Sequence, residues 1–219
     1  MSQTIAEQVI VLKERMAGRS PAEIAGVFDA EQAGLDAAGV PLGIAAVGTA
    51  MPDGDLFDVN GEATDLAAIR DGSAAVVVFY RGVWCPYCNL ALRAYEAQLV
   101  PDLTERGVKL IAVSPQKPEG SMTMRDRNKL SYTVVSDPGS KLAGQLGILT
   151  APTDDAAAAQ AKLGLDLKDV NADGTPTLPM PTVVVVDATG IIRWIDVHPN
   201  YSTRSEPADI LAAVGATIG

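Results

Sequence analysis

The stretch VVVFYRGVWCPYCNLAL, residues 76–92, decides how the rest of the sequence is interpreted. It begins within an apolar, β-branched run, residues 74–80, of the kind that forms a buried central strand. A short turn follows, and then a segment of helical character, residues 86–106, which Pro101 should kink or interrupt. Cys85 and Cys88, the two cysteines of the whole chain, stand where this helix begins. The stretch therefore predicts a strand–turn–helix unit that carries a Cys-x-x-Cys motif.

Four uses of this cysteine pair can be weighed. A structural zinc site needs four ligands, and the chain has no further cysteine and a single histidine, His198, so we expect no metal. A structural disulfide is disfavoured, because the N-terminus lacks the pattern of an export signal and the expected compartment is then the cytoplasm. Two inert, buried thiols are the plain alternative. A Cys-x-x-Cys motif beside an α/β pattern favours a redox dithiol.

The predicted position at a helix start would activate the thiols. Pro86 suits the first helical turn, where its missing N–H group is not needed. The helix dipole and the free N–H groups favour a thiolate there and lower the pKa of a cysteine. A second thiol three residues away can resolve the mixed disulfide or sulfenic acid that the first one forms. Cys85 and Cys88 are therefore the predicted catalytic pair, and no cofactor is expected.

Strands and helices alternate along most of the chain. Two helices are predicted over 2–17 and 21–38, and a Gly/Pro-rich connection places a boundary near residue 45. We expect a short hairpin around Asn60-Gly61, strands over 108–114, 132–137, 181–187 and 190–197, and a closing helix from residue 206. Residues 150–180 are expected to be irregular. This pattern predicts an α/β fold, with an N-terminal helical extension over 1–45 and the main domain over 46–219.

The charge and hydropathy of the chain limit the classes of partner that we expect. The formal net charge is −10 at pH 7 and the sequence pI is about 4.5. An acidic surface repels phosphate, so we expect neither nucleic acid nor an anionic membrane as a partner. The apolar runs are all far shorter than the roughly 20 residues of a membrane span.

Several segments together resemble the alkyl hydroperoxide reductase/thiol-specific antioxidant (AhpC/TSA, peroxiredoxin-like) family of the thioredoxin-fold superfamily. They are AAVGTAMPDGDLFDVNGEATDL, VVVFYRGVWCPYC, VKLIAVSPQ, VVSDPGSKLAGQLGI and MPTVVVVDATGIIRW. The resemblance covers about residues 46–214 and implies a central mixed sheet flanked by helices. The Cys-Pro-Tyr-Cys sequence is also similar to the dithiol of glutaredoxins.

The sequence departs from the peroxiredoxin pattern at two places. Where that family has Pro, Thr or Ser, and the peroxide-reactive cysteine, this chain has Arg81, Cys85 and Cys88. Where the family has an arginine before a late strand, this chain has Pro181. A peroxide-reducing site needs donors for the peroxide oxygens, and we expect Arg81 or Arg193 to support the site in place of the missing ones.

Other residues near the motif resemble parts of thioredoxins and glutaredoxins. Pro181 resembles their cis-proline, which presents an extended substrate backbone to the dithiol. Trp84 corresponds to a tryptophan that precedes the dithiol in many thioredoxins. With Pro86 and Tyr87, these residues form the predicted substrate-binding surface. Farther along, His198 is interpreted as a hydrogen-bonded loop residue, and Arg204 as the partner of Glu206 in a local ion pair.

These observations favour an oxidoreductase that exchanges disulfides, with Cys85 attacking as the more exposed thiol and Cys88 resolving. The alternative is a thiol peroxidase that reduces hydrogen peroxide or organic hydroperoxides, in which Cys88 attacks. A more distant alternative is a non-catalytic binding protein on a thioredoxin fold. In the first two cases an external reductant such as thioredoxin or glutathione is expected. The apolar stripe of the N-terminal helices should pack on the main domain or on a second subunit of a homodimer.

Overall fold

A mixed seven-stranded sheet forms the centre of the computed structural model, which describes residues 3–218. The strand order is β2-β1-β5-β4-β3-β8-β9. A separate pair, β6-β7, lies outside this sheet. The strands are β1 Leu56–Phe57, β2 Ala63–Thr64, β3 Ala75–Phe79, β4 Lys109–Ser114, β5 Thr133–Ser136, β6 Leu149–Thr150, β7 Leu178–Pro179, β8 Thr182–Val186 and β9 Ile192–Val197.

Strand β3 is an interior strand of the sheet and is buried along its whole length. It runs parallel to β4 on one side and antiparallel to β8 on the other. Because both faces of a central strand are covered, a continuous apolar run is the sequence that such a strand needs. Phe79 pairs with Thr182 at one end of β3, and the turn that carries the cysteines starts directly after this end.

Helices cover both faces of the sheet, as predicted. They are α1 Ile5–Met16, α2 Ala22–Ala38, α3 Leu66–Arg70, α4 Pro86–Gln98, α5 Val100–Glu105, α6 Pro118–Asn128, α7 Lys141–Gln145, α8 Asp154–Lys162, α9 Leu167–Val170 and α10 Pro207–Thr217. Alternate residues of β3 point to opposite faces: Val76 and Val78 pack with α1, α4, α5, α6 and α10, whereas Val77 and Phe79 pack with α3 and α7. The segment over 86–106 is divided into α4 and α5 near Pro101, as expected.

The N-terminal helix α1 packs on the main body of the fold. Its apolar residues Ile5 and Val9 are buried in the same cluster as the two cysteines. Thr4 and Glu7 close its first turn as a reciprocal capping box. The predicted packing of the N-terminal extension on the main domain is therefore confirmed, while the boundary at residue 45 stays a prediction.

The expectation that residues 150–180 are irregular was wrong. This segment contains α8, α9 and β7, and the last residue of β6. Helix α8 forms because its alanine-rich sequence has a high helix propensity. The Thr153 side chain accepts a hydrogen bond from the Ala156 N–H, and Asp154 and Asp155 lie favourably in the first turn.

Candidate active site

Cys85 and Cys88 lie at the N-terminus of α4, after the short connection that follows the end of β3. Cys85 is the N-cap residue, with an extended backbone (φ −83°, ψ 114°), and Pro86 is the first helical residue. Cys88 follows within the first turn, where backbone N–H groups have no intrahelical acceptor. Both sulfurs therefore lie in the positive field of the helix N-terminus.

Both thiols are buried and neither is joined in a disulfide. Cys85 is 1 % exposed and Cys88 is 0 % exposed. The expectation that Cys85 is clearly the more exposed thiol is therefore not met. Which thiol is the nucleophile has to be argued from the charges around them.

Arg204 supplies the main charge next to the pair. It lies in the loop between β9 and α10, is 9 % exposed, and its Nη2 is 3.0 Å from the Cys88 sulfur and 3.9 Å from the Cys85 sulfur. Its Nη1 donates to the carbonyl oxygens of Tyr201 (2.7 Å) and Thr203 (2.5 Å), which fixes the guanidinium in place. The site therefore has a buried cation directed mainly at Cys88.

The sequence analysis missed this role of Arg204, and its predicted ion pair with Glu206 was wrong. The Glu206 carboxylate instead accepts hydrogen bonds from the backbone N–H groups of Ile5 and Ala6, both at 2.8 Å. It thereby holds the N-terminus of α1, where a carboxylate is favourable. The one signal in the sequence was indirect: with Pro181 in the family's arginine position, the site needed a cation from elsewhere.

The surroundings of the two thiols set their protonation in opposite directions. Burial opposes ionisation of Cys88, but a hydrogen bond from the Cys85 thiol, the Arg204 charge and the backbone and charge of Arg81 outweigh it and hold the pKa of Cys88 well below its ordinary value. Burial and the adjacent Cys88 thiolate raise the pKa of Cys85 well above its ordinary value. The surroundings thus favour the thiolate form at Cys88 and the thiol form at Cys85.

Two amide side chains hold the turn that presents the pair. The Asn89 Nδ2 group donates to the carbonyl oxygens of Val83 (2.7 Å) and Cys85 (2.8 Å). The Gln116 Oε1 atom accepts from the Val83 N–H at 2.9 Å. Asn128 in turn donates to the Asn89 Oδ1 atom at 2.9 Å. The sequence analysis did not single out these residues, because their partners are backbone groups and a side chain distant in the sequence, which no motif reveals.

Arg81, which was predicted to support the site, lies beside the pair. It is 5 % exposed. Its guanidinium carbon is 3.9 Å from the centre of the Tyr201 ring and 5.0 Å from that of Trp84, which is the geometry of cation–π contacts. Arg81 thus brings a second buried cation to the thiols.

A groove of about 980 Å³ opens next to Cys85. Trp84, Pro86 and Tyr87, the residues predicted to bind substrate, line it together with Cys85 and Arg81. Its opposite walls come from α1, α2 and residues 160–165. Cys88 does not line it. The helical extension thus shapes the access to the pair, and a substrate-binding role for these residues stays a prediction.

Pro181 lies at the cysteine end of the sheet and lines a small cavity with Arg81, but without the expected cis bond, whereas Arg193 does not lie beside the thiols. None of the peptide bonds within residues 3–218 is cis, so the predicted cis-proline at Pro181 was wrong. Pro181 is buried at the cysteine end of β8 and does not line the large groove. Arg193 lies toward the opposite end of the sheet, where it pairs with Asp187. The cation that the site gains comes from Arg204 instead.

His198 is a hydrogen-bonded loop residue, as predicted. Its Nε2 is 2.9 Å from Asp196 and its Nδ1 is 2.8 Å from the Thr203 hydroxyl. Among residues 3–218 no cluster of histidine, cysteine and acidic side chains has the makings of a metal site. Within the same part of the chain, every helix is too short or too polar to cross a membrane.

Comparison with known proteins shows which family the chain resembles. The model of the AhpC/TSA family matches residues 47–195. A Mycobacterium tuberculosis (strain ATCC 25618 / H37Rv) protein named "Putative peroxiredoxin" is 33 % identical over 91 residues, which is 42 % of this chain and 57 % of that protein. The chloroplastic peroxiredoxin Q of Oryza sativa subsp. japonica is 25 % identical over 168 residues, 77 % of this chain and 64 % of that protein. The chain thus spans less than two thirds of these relatives.

A solved structure of similar fold is reduced Prx3 in complex with hydrogen peroxide from Vibrio vulnificus. It has a TM-score of 0.63 and 17 % sequence identity, and the match covers 78 % of this chain and 99 % of that one. At this level of identity the likeness concerns the fold alone. The match to the AhpC/TSA family model begins at residue 47 and therefore does not include the N-terminal helices α1 and α2.

Proposed function

The chain belongs to the AhpC/TSA family and has the thioredoxin-like fold of the peroxiredoxins, and from this premise we propose that it is an oxidoreductase of the thiol peroxidase type, with Cys88 as the attacking thiolate and Cys85 as the resolving thiol. The observation that carries the proposal is the 3.0 Å contact between Arg204 and the Cys88 sulfur in a buried site. A cation at this distance stabilises the thiolate, which is the nucleophilic form of cysteine. This order of roles reverses the one favoured by the sequence.

The first step would be attack of the Cys88 thiolate on the terminal oxygen of a hydroperoxide. An S–O bond forms, the O–O bond breaks, and the alkoxide or hydroxide leaves with the electron pair. We infer that the Cys85 thiol, whose raised pKa keeps its proton on the sulfur, protonates this leaving group. The products are an alcohol or water and a sulfenic acid on Cys88.

Resolution follows from the same proton transfer. Cys85, now a thiolate, attacks the Cys88 sulfur, a Cys85–Cys88 disulfide forms, and hydroxide leaves to be protonated by solvent. Two residues separate the cysteines in the sequence, and an external thiol reductant, thioredoxin or glutathione, then supplies the two electrons that restore the dithiol. The names of the relatives support a peroxide substrate. A cytoplasmic location and a homodimer stay predictions.

Disulfide exchange that begins at Cys85 is the second candidate. It is favoured by one observation: Cys85 lines the groove and Cys88 does not, so a bulky disulfide would meet Cys85 first. Against it stands the raised pKa of Cys85, which leaves that sulfur protonated. A non-catalytic binding protein would not need a stabilised thiolate at Cys88, so the position of Arg204 argues against this third candidate.

A pair of isosteric variants separates these functions. Reduced Cys85→Ser protein should consume about one equivalent of hydroperoxide rapidly and accumulate a sulfenic acid on Cys88, visible by mass spectrometry after dimedone trapping. Reduced Cys88→Ser protein should consume peroxide slowly. The reverse pattern, with a fast reaction of Cys88→Ser with a model disulfide, would establish the second candidate, and two slow variants beside an equally slow wild type would favour the binding protein.

A further inference from the structure

Arg81 is a buried cation for which residues 3–218 offer no acidic partner within ion-pair distance. Its guanidinium lies against aromatic rings, and its Nε has no hydrogen-bond partner in this part of the chain. Glu31 borders the same small cavity: its Oε1 atom accepts the Thr153 N–H at 3.0 Å, and its Oε2 atom has no hydrogen-bond partner among the described residues and forms no ion pair with Arg81. Buried charges are normally paired, and a chain of net charge −10 has carboxylates in excess. In the disulfide form the Cys88 thiolate, whose charge Arg81 otherwise stabilises, is also absent, so the position then suits an anion that comes from outside.

This cation lines the groove beside Cys85. The groove, at about 980 Å³, lies at the upper end of the volumes of ordinary small-molecule sites, about 300–1,000 Å³. Lys13 and Asp29, which carry opposite charges, and Gln32 share its wall with apolar side chains, so Arg81 gives the lining an excess of positive charge. Because residues of α1 and α2 line the groove beside Cys85 and this residue is only 1 % exposed, a small molecule should reach Cys85 more readily than a cysteine on the surface of a folded protein.

We propose that a small, carboxylate-bearing thiol enters this groove, binds Arg81 through its carboxylate, and reduces the Cys85–Cys88 disulfide by attacking Cys85. The inference rests on the proposed dithiol function, and it names the class of reductant that the function leaves open. Charge complementarity with Arg81 selects the carboxylate, and the volume of the groove selects a small molecule over a protein.

The direction of attack follows from access and from the leaving group. In the disulfide, Cys85 is the sulfur that borders the groove. A thiolate that attacks it forms a mixed disulfide with Cys85, and the bond to Cys88 breaks with the electron pair on Cys88. Arg204, 3.0 Å from that sulfur, stabilises the departing thiolate, and the more acidic thiol leaves faster. A second small thiol then attacks the mixed disulfide, releases the external disulfide, and leaves Cys85 reduced.

The test uses the full chain with its disulfide prepared by diamide, so that it does not depend on peroxide chemistry. The probes are N-acetylcysteine and N-acetylcysteine amide, which differ in the carboxylate, and the rates are compared per concentration of thiolate. We expect the acid to react about tenfold faster or more with the wild type, as for one charged hydrogen bond. Arg81→Gln should abolish this ratio, whereas Arg125→Gln, a surface arginine paired with Asp126, should keep it.

Rapid alkylation during the reaction should also find the probe on Cys85 and the alkyl group on Cys88, as tandem mass spectrometry of the peptide over 82–93 can show. Equal rates for the two probes with the wild type would overturn the proposal without any variant, as would an unchanged ratio in Arg81→Gln. Thioredoxin that outpaces the acid thiol at equal concentration would overturn the small-molecule reductant. Failure of peroxide consumption alone would count against the proposed peroxidase and leave this measurement in place, whereas failure to form the disulfide would end both.

Discussion

Replacing Arg204 by methionine should remove most of the charge that stabilises the Cys88 thiolate. At an effective dielectric constant of about 20, unit charges about 4 Å apart interact by about 4 kcal/mol, and Arg204 is 3.0 Å from the sulfur. Arg81 and the helix N-terminus remain in the variant, so we take about half of this energy as the loss. That is about 2 kcal/mol in the free energy of ionising Cys88, which lowers the thiolate population, and with it the rate of peroxide reduction at a pH below the pKa of the variant, by about 30-fold.

The pH range over which the rate of peroxide reduction changes should differ between the wild type and Arg204→Met. Because the surroundings hold the pKa of Cys88 well below its ordinary value, the wild-type rate should be level through neutral pH and fall only as the solution becomes acidic. In Arg204→Met the pKa of Cys88 returns toward the ordinary value, so the rate should be low at neutral pH and rise with increasing pH.

The measurement is single-turnover peroxide consumption by the reduced protein over a range of pH, together with the ultraviolet absorbance of the thiolate. Arg204→Lys keeps the charge and should recover part of the rate, while Arg193→Met, at the other end of the sheet, should behave as the wild type. A neutral-pH rate and thiolate absorbance in Arg204→Met equal to those of the wild type would refute the assignment of Arg204.

Three further changes test the surroundings of the site. Glu206→Ala removes the acceptor of two N–H groups of α1 and should lower the free energy of unfolding by about 1 kcal/mol, with faster hydrogen exchange confined to α1; uniform exchange would contradict it. Gly82→Ala would place a Cβ atom 2.3 Å from the Trp84 Nε1 atom, so we expect a loss of about 1–3 kcal/mol and a shifted tryptophan fluorescence, and unchanged values of both would argue against the packing. Deleting residues 1–40 should lower solubility or change the oligomeric state and speed the reaction of Cys85 with bulky maleimides, whereas a soluble monomer of unchanged reactivity would show that the extension does not wall the groove.

The parts of the site that depend on neighbouring residues could be predicted from the sequence. The apolar run of β3, Pro86 at the first helical position and the spacing of Cys85 and Cys88 are local signals, and together they placed a dithiol at the start of α4. The α/β class followed from the alternation of strands and helices, while the central sheet flanked by helices was implied by the family resemblance. In each case the physical cause acts within one or two elements, so a pattern in the sequence can express it.

The parts that depend on distant contacts could not be predicted. Arg204 meets Cys88 across 116 residues of sequence, and the nearby Glu206 made a local ion pair look sufficient. The relative exposure of two cysteines within one turn depends on helices that pack over them from elsewhere in the chain. The omission of α8 had a different cause, because its alanine-rich sequence lacks the apolar periodicity on which the prediction relied.

The hydrogen bonds of Glu206 also determine when helix α1 can be stabilised during translation. The N–H group of Ile5 is bound by a carboxylate 201 residues later, and translation at about 5–20 residues per second separates the two by roughly 10–40 s. Helix α1 has 12 residues, and an isolated helix of this length is only marginally stable. Its apolar residues therefore stay exposed on the nascent chain. Arg204 emerges as late as its neighbour. Until then the nascent chain carries two ordinary thiols, and the acidic Cys88 is created only when the C-terminal part of the chain has been made.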